Sequence, residues 1–177
     1  EGQIWNSDLK AAVAWTSTSF NTADTHGGAL VALCKMRDQI VAFTTNRLEF
    51  FFNNGNPSGS PLLRIDQNTL AIGCQGASLI AQYGDTIVFL GYGPAEGGIN
   101  RKFYMLSPAG LKSISTPVIE RIITAEATQI TSWMAEVNGH VLYVINCVGL
   151  GRTFVYDVDL DMWCEWELAA GSDEFNG

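Results

Sequence analysis

The segment Asn138 to Glu167, NGHVLYVINCVGLGRTFVYDVDLDMWCEWE, contains the clearest structural pattern in this chain. Apolar and polar residues alternate through it, glycines and then aspartates interrupt the alternation, and two tryptophans stand near its end. A period of two is typical of β-strands, and glycine and aspartate are common turn residues. The segment therefore predicts β-strands joined by turns, either as an isolated hairpin with an acidic loop or as one unit of a repeat.

The same pattern occurs twice more in the chain. Residues 29–52, ALVALCKMRDQIVAFTTNRLEFFF, and residues 78–107, SLIAQYGDTIVFLGYGPAEGGINRKFYMLS, each place alternating stretches around a polar turn. The unit recurs about every 50 residues, and each unit contains three or four short strands, which is the spacing of a propeller blade. The polar turns of the three units are Arg37-Asp38, Gly84-Asp85 and Asn138-Gly139.

We therefore expect an all-β fold made of β-propeller-like repeats, a partial propeller of about three blades plus a leading strand segment. Propellers usually have four to eight blades, so this single β domain, residues 1–177, would be part of a longer propeller. The alternative is a β-sandwich in which the repeat is accidental. The expected units are residues 1–26 as the tail of a preceding blade, and blades at residues 27–76, 77–126 and 127–177.

One short segment, near residues 116–124, has a helical pattern. Ser115 or Thr116 is suited to cap a helix, and Pro117 suits the first turn. Ile119, Ile122 and Ile123 would then share one face. We expect one or two helical turns there, within the second blade.

The run Phe50 to Phe52 must place at least one ring on each face of a strand, because strand side chains alternate. Such a strand is buried on both faces or takes part in an interface. This run and the loop Gly91 to Arg101 are our first candidates for contacts between subunits.

The composition excludes several classes of protein. Of 177 residues, 47% are hydrophobic and 16% charged, whereas disorder requires low hydrophobicity and high charge. A net charge of -8 is unsuited to gripping nucleic acid, although an acidic wall can line a path along which nucleic acid moves. The start lacks the features of a signal peptide, and the apolar runs are too short for a membrane span, so we expect no membrane anchor.

The four cysteines are spread along the chain and form no C-x-x-C pair, which argues against a zinc site. We expect mostly buried thiols in a reducing compartment, and a Cys147–Cys164 bridge stays open as an alternative.

Asp157, Asp159 and Asp161 form a D-x-D-x-D motif. A calcium loop of the EF-hand kind requires glycine at position six and glutamate at position twelve, where this chain has Met162 and Leu168. We therefore expect a hairpin tip whose first aspartate forms an Asx-turn, and no metal site.

No other motif predicts a reaction. The glycine-rich stretch Gly91 to Gly98 lacks the Lys-Ser/Thr of a P-loop, so we expect a wide hairpin loop. His26 and His140 lie far apart without a nucleophile elbow, and His140 is expected to be structural at a strand start. Carboxylates that a glycosidase would need are present, but nothing pairs any two of them: Glu49, Glu120, Glu126, Glu136 and Glu165. We expect no catalytic, cofactor-binding or metal-binding residues, no cofactor and no enzyme activity.

The aromatic residues have two interpretations. In the first interpretation they form a platform on which sugars stack. In the second, which we favour, they pack one blade against the next. The residues concerned are Phe50 to Phe52, Phe103, Tyr104, Tyr143, Phe154, Tyr156, Trp163 and Trp166.

Several motifs, in order, resemble the packaged-DNA stabilisation or tail hub (nozzle-like) proteins of short-tailed bacteriophages. The more specific ones are Ile114-Ser-Thr-Pro-Val-Ile-Glu and the ordered set Gly139-His-Val-Leu-Tyr, Thr153-Phe-Val-Tyr-Asp and Trp163-Cys-Glu. Arg47-Leu-Glu-Phe-Phe with Asn54-Gly-Asn-Pro, and Ile72-Gly-Cys-Gln-Gly-Ala-Ser, also match the family pattern. Together the motifs cover roughly residues 5 to 167.

The resemblance implies a structural virion protein of the phage tail, assembled in the host cytoplasm. It would be a ring-forming hub or nozzle component that extends the DNA channel, helps to retain packaged DNA and takes part in DNA ejection. Its implied partners are other copies of itself, the portal or adaptor, the tail needle or other tail proteins, and DNA that passes without specific binding. The alternatives are a receptor- or glycan-binding propeller and, less favoured, a propeller glycosidase.

Overall fold

A computed structural model of the chain describes residues 2–8, 11–23, 27–56, 59–95, 98–125 and 129–167, with residues 94, 95, 98–100 and 125 described by backbone alone. The described residues form fourteen β-strands and one α-helix. In chain order these are β1 Gln3–Trp5, β2 Phe20–Thr22, β3 Leu30–Met36, β4 Gln39–Thr44, β5 Leu48–Asn53, β6 Leu62–Arg64, β7 Ile80–Tyr83, β8 Thr86–Ala95, β9 Gly98–Ser107, β10 Gly110–Ser113, α1 Pro117–Ala125, β11 Ile130–Val137, β12 His140–Cys147, β13 Arg152–Asp157 and β14 Met162–Trp166.

The strands form four separate antiparallel sheets. The first sheet has the order β3-β4-β5-β6, the second β7-β8-β9-β10 and the third β11-β12-β13-β14, so each is a meander of consecutive strands. Strands β1 and β2 pair with each other in a two-stranded ribbon. The expected all-β architecture of repeated four-stranded units is confirmed.

The polar turns predicted for the three units are the first hairpins of the three sheets. Arg37 and Asn138 have φ of 53°, and Gly84 has φ of 56°. A two-residue hairpin needs left-handed backbone because this twist matches the twist of the paired strands. The local turn chemistry therefore sets the same hairpin in every unit.

Three apolar clusters lie between successive sheets. The ribbon packs on the first sheet through a small cluster around Ile4 and Phe51. Phe43 of the first sheet packs on Phe89 of the second, with ring centroids 5.1 Å apart. Phe103 of the second sheet packs on the third within the largest cluster. Each four-stranded sheet is thus in contact with the unit that precedes it.

Strand β5 shows why its phenylalanines follow one another. Phe50 lies in the cluster shared with the second sheet, whereas Phe51 lies in the cluster shared with the ribbon, and both are at most 3% exposed. The expectation that this run is buried on both faces of its strand is confirmed.

Helix α1 lies where the sequence indicates but has nine residues, more than the expected one or two turns. The Thr116 hydroxyl accepts a hydrogen bond from the Ile119 backbone N–H at 3.4 Å and so caps the helix. Ile119 and Ile123 are buried in the cluster between the second and third sheets. Apolar burial extends the helix beyond its local signals.

The expected wide loop from Gly91 to Gly98 is wrong. Strands β8 and β9 pair as far as Ala95 and Gly98, so the stretch is mostly strand. Tyr92 pairs with Arg101 in this ladder, and the Arg101 guanidinium lies 5.2 Å from the centre of the Tyr92 ring. Cross-strand pairing of this kind outweighs the weak strand propensity of glycine and proline.

Candidate functional site

The acidic turn between β13 and β14 is a hydrogen-bonded cap. Asp157 Oδ1 accepts the backbone N–H groups of Asp159 at 2.9 Å and Leu160 at 3.0 Å, which is the Asx-turn expected from the sequence. Its Oδ2 lies 2.9 Å from Nδ1 of His140 at the start of β12. Burial acts to raise the pKa of Asp157, but the two N–H donors and His140 outweigh it and hold this pKa below the ordinary value.

The other two aspartates of the motif also have partners. Asp159 Oδ2 accepts the Val141 backbone N–H at 2.9 Å. Lys112 Nζ lies 2.5 Å from Asp161 Oδ2, and the Tyr156 hydroxyl donates to Asp161 Oδ1. Lys112 and then Tyr156 lower the pKa of Asp161.

Side chains of His140, Asp157 and Asp159 place potential metal-ligand atoms within 4.8 Å of one another. Each of the two carboxylates already accepts main-chain hydrogen bonds, which account for its position without an ion. The arrangement therefore supports the turn interpretation, and the absence of a bound metal stays a prediction.

Each described candidate glutamate has a different side-chain partner. Arg64 Nη1 lies 3.5 Å from buried Glu49, and Lys102 Nζ lies 3.4 Å from Glu120. Tyr83 donates its hydroxyl hydrogen to Glu136, and Arg152 forms a two-point contact with Glu165. Among the described residues these glutamates do not face one another, and Glu126 lies outside the described residues, as does His26.

A cleft of about 540 Å³ lies between the first and second sheets. The β3–β4 turn and the β9–β10 turn contribute to its lining, with Arg37 and Asp38 as its charged residues. A retaining or inverting glycosidase requires two carboxyl groups facing each other. The described lining offers one carboxylate, so the cleft does not have the geometry of that reaction.

The cysteines fit the expectation of buried thiols in two of four cases. Cys74 and Cys147 are buried, Cys34 is half-buried and Cys164 is exposed. Burial, and then the neighbouring Cys74, raises the pKa of Cys34 to about 11. No bridge joins Cys147 to Cys164, because these residues lie on β12 and β14 with β13 between them.

The aromatic residues of the motifs form the joint between the second and third sheets. The Trp163 ring lies 5.2 to 6.5 Å from the rings of Phe103, Tyr143 and Tyr156. Its indole N–H donates to the carbonyl oxygen of Ile114 at 2.6 Å. The motif that begins at Ile114 and the motif that ends at Trp163 are therefore in direct contact. Strand alternation indicated packing of these rings, but no local signal indicated the Trp163–Ile114 hydrogen bond.

The glycine motif from Ile72 to Ser78 connects the first sheet to the second. Gly73 exchanges two backbone hydrogen bonds with Tyr92, each 2.8 Å long, and the Cys74 N–H donates to the Thr44 carbonyl. A Cβ atom at Gly73 would lie 1.9 Å from the Thr45 carbonyl oxygen. Only glycine allows the backbone to pass this close to the first sheet.

The face of the third sheet that lies away from the second sheet is exposed at its edge and buried at its centre, since Trp133 is 45% exposed whereas Val144 and Val155 have no exposure. We call the face of each sheet that points toward the next sheet its forward face. In each sheet the residues of the second strand are counted from the first hairpin turn. The third and fifth of these residues face the next sheet. They are Val41 and Phe43 in the first sheet, and Val88 and Leu90 in the second. In the third sheet these positions are Leu142 and Val144.

This forward face of the third sheet is apolar along its central row. Trp133, Val144, Val155 and Cys164 are paired side by side across the four strands. Trp133 is 45% exposed, and Trp166, beside this row on β14, is 47% exposed. Thr131, Asn146 and Thr153 complete the row that ends at Trp166.

Repeated four-stranded meanders stacked face to face, with contacts concentrated between neighbours, define a protein of the β-propeller type rather than a β-sandwich. The features described above are packed aromatic contacts between sheets and hydrogen-bonded turns, which fit a structural protein.

The sequence matches one family model over residues 1–168, described as bacteriophage P22 Gp10, beta-propeller. The chain belongs to this family of phage packaged-DNA stabilisation proteins, and the resemblance noted in the sequence is confirmed. It is therefore a phage structural protein of the DNA-stabilisation or tail class. No curated protein matches the chain. Within the described residues, no helix has the length and hydrophobicity needed to cross a membrane.

Proposed function

We propose that the protein is a ring-forming hub or nozzle component of a short-tailed phage, which extends the DNA channel and helps to retain packaged DNA. The observation that carries the proposal is the family match over residues 1–168, which includes all four sheets. In this role the protein is a structural part of the virion tail without enzyme activity, assembled in the host cytoplasm and in contact with portal, adaptor or other tail proteins.

Two properties of the chain support the channel role. The net charge is -8, and an acidic wall repels the DNA backbone, so DNA slides past without being held. The carboxylates of the third sheet are also fixed in place, since Asp157, Asp161 and Glu165 each have partners that lower their pKa. These groups stay ionised at neutral pH, and Lys112 and Arg152 offset the charges of Asp161 and Glu165.

The stacked architecture supports the proposed place within a longer propeller. The ribbon and three sheets make fewer than four complete blades, and a propeller needs at least four. We propose that further blades complete the ring around the propeller axis, with residues 27–76, 77–126 and 127–177 as three of them.

Electron microscopy of the native particle, reconstructed without imposed symmetry, tests this function. We expect a ring of copies around a central channel at the end of the tail, with the three sheets fitted into each copy. A particle in which the protein is absent from the tail channel would contradict the proposal.

A glycan-binding assay separates the main alternative. The isolated chain would be presented with an oligosaccharide array, and Trp133→Ala would be compared with the parent chain. The hub proposal expects no saturable binding, whereas specific binding that Trp133→Ala removes would favour a receptor- or glycan-binding propeller.

A further inference from the structure

The joint between the first and second sheets is built on the same plan as the joint between the second and third sheets. Leu48 and Phe103 hold equivalent places, since each pairs with the fifth residue of the second strand in its sheet. The Leu48 carbonyl oxygen accepts a hydrogen bond of 3.0 Å from the N–H of Leu70, and the Phe103 carbonyl oxygen accepts one of the same length from Ile114. Leu70 and Ile114 are therefore equivalent, and the two joints can be compared position by position.

The two joints contain very different side chains at one equivalent position. Tyr104 and Tyr156 correspond to each other, because each pairs with the fourth residue of the second strand in its sheet. On the last strand of the third sheet, Tyr156 pairs with Trp163. On the last strand of the second sheet, Tyr104 pairs with Ser113, which is exposed. A small hydroxyl side chain thus stands where the next joint has an indole ring.

The smaller side chain leaves the joint between the first and second sheets partly open. Ile114 binds the indole N–H of Trp163 through its carbonyl oxygen and is 5% exposed. Leu70, the equivalent residue, is only half-buried and lines the cleft of about 540 Å³. The cleft therefore adjoins the position that a tryptophan occupies in the next joint.

The cleft is continuous with the packed joint. Five apolar residues of its lining also belong to the cluster between the first and second sheets, namely Met36, Phe50, Leu70, Leu106 and Leu111. Its volume is within the range of ligand pockets, about 300–1,000 Å³. A ring in the cleft would extend an existing apolar interface and remove further apolar surface from water.

The polar part of the lining favours a peptide over a sugar or an ion. Arg37 and Asp38 carry opposite charges, so they give the cleft no net charge. Gln67 and Asn68 are exposed on the turn after β6, where their amides offer donors and acceptors to a main chain. Phe50 is the single aromatic residue of the described lining and is 3% exposed, so it has no free face on which a sugar could stack.

We propose that the cleft between the first and second sheets binds the side chain of a tryptophan in an extended segment of another tail polypeptide. The ring would complete this joint from outside, as Trp163 completes the next joint from within the chain. Tryptophan is also among the residues that contribute most to the affinity of protein interfaces. The inference rests on the proposed function for the class of partner, a second polypeptide of the tail.

The test is a titration of the full chain with N-acetyl-L-tryptophanamide, followed by methyl NMR. The methyl signals of Met36, Leu70 and Leu111 are expected to shift saturably, with a Kd on the order of 1 mM for one residue. N-acetyl-L-leucinamide is expected to give no saturable shift. Val118, exposed on α1, reports non-specific contact. Absence of saturable shifts in the cleft, or equal shifts at Val118, would overturn the proposal.

The variant Ser113→Trp places a ring at the equivalent position from within the chain. It is expected to weaken binding of N-acetyl-L-tryptophanamide at least about tenfold and to raise the melting temperature, because its indole would fill the joint. The control Val118→Trp adds an exposed indole away from the cleft and is expected to bind as the parent chain does. A folded Ser113→Trp chain that binds the probe with unchanged affinity would contradict the equivalence of the two joints.

A short peptide distinguishes a polypeptide partner from a free aromatic ligand. Acetyl-Gly-Trp-Gly-amide is expected to bind at least about threefold more tightly than N-acetyl-L-tryptophanamide, because its main chain reaches the amides of Gln67 and Asn68. Gln67→Ala is expected to reduce this advantage while leaving the affinity for the single residue unchanged. Equal affinities of the two probes for the parent chain would overturn the assignment to a polypeptide.

The outcome is separable from that of the proposed function. Tryptophan binding in the cleft by a protein that is absent from the tail channel contradicts the hub role alone. A ring of copies in the native particle, formed by a chain whose cleft binds neither probe, contradicts the docking site alone.

Discussion

Replacement of Phe51 by alanine tests how firmly the ribbon is attached to the first sheet. Phe51 has no solvent exposure and packs with Ile4, Ala23 and Ala42 in the smallest of the three clusters. Loss of a buried phenylalanine ring costs about 3–5 kcal/mol, from lost transfer free energy and from the cavity that remains. A domain of ordinary stability has about 5–15 kcal/mol in total, so this loss is a large share of the free energy of unfolding.

Because this cluster is small, the substitution is expected to destabilise the attachment of the ribbon before it destabilises the rest of the fold. Ile4 and Ala23 hold the ribbon to the first sheet, and they would lose their main apolar neighbour. We therefore expect Phe51→Ala to release the ribbon at a lower free energy than is needed to unfold the three four-stranded sheets. Amide hydrogen exchange of the β1 and β2 residues would become faster than in the parent chain, while β12 and β13 would keep their protection.

The assay combines urea unfolding with hydrogen exchange, and Phe52→Ala is the matched control. Phe52 is the next residue of β5 and is only half-buried, so its replacement is expected to cost about 1 kcal/mol. With a denaturant dependence of about 2 kcal/mol per molar urea, Phe51→Ala would lower the unfolding midpoint by roughly 2 M. Equal midpoints and equal ribbon exchange in the two variants would refute the assignment of Phe51 to a critical contact.

Three further predictions concern other parts of the fold. Gly73→Ala is expected to lower the melting temperature much more than Gly76→Ala. The added Cβ would lie 1.9 Å from a carbonyl oxygen at Gly73, but no closer than 3.7 Å to any neighbour at Gly76. Similar melting curves for the two variants would contradict this prediction. Trp163→Phe is expected to destabilise the chain by about 1–3 kcal/mol in urea unfolding, because the buried Ile114 carbonyl loses its donor, and an unchanged midpoint would be inconsistent with that hydrogen bond. The pKa of Asp157 is lower in the folded chain than its ordinary value of 3.8. The stability that this carboxylate contributes is therefore present above pH 3.8 and declines as the pH falls through the folded-state pKa. Asp157→Asn should show a smaller loss of stability on acidification than the parent chain.

The strand pattern predicted most of the local structure. The polar turns predicted at Arg37-Asp38, Gly84-Asp85 and Asn138-Gly139 are the first hairpins of their sheets. These features are local, because side-chain alternation and left-handed turn residues act within a few positions. The repeat of about 50 residues then indicated blades, since equal units stack in equal ways.

The prediction failed where pairing between distant strands outweighed local propensity. Glycine and proline in the stretch after Gly91 indicated a loop, but the ladder to β9 holds it as strand. The sequence also did not indicate that His140 would lie beside Asp157 or that Arg152 would hold Glu165. Such contacts depend on which strands become neighbours, and that information is not present in either strand alone.

The sequence by itself therefore determined the all-β class, the repeat, the turns and the family of this protein. Periodicity and turn chemistry are properties of short segments, and the family motifs are readable in order along the chain. The tertiary structure decided that Trp163 binds Ile114 and that Phe50 and Phe51 belong to different clusters. These features arise from the stacking of units, in which the burial of a side chain depends on the face of the neighbouring sheet that covers it.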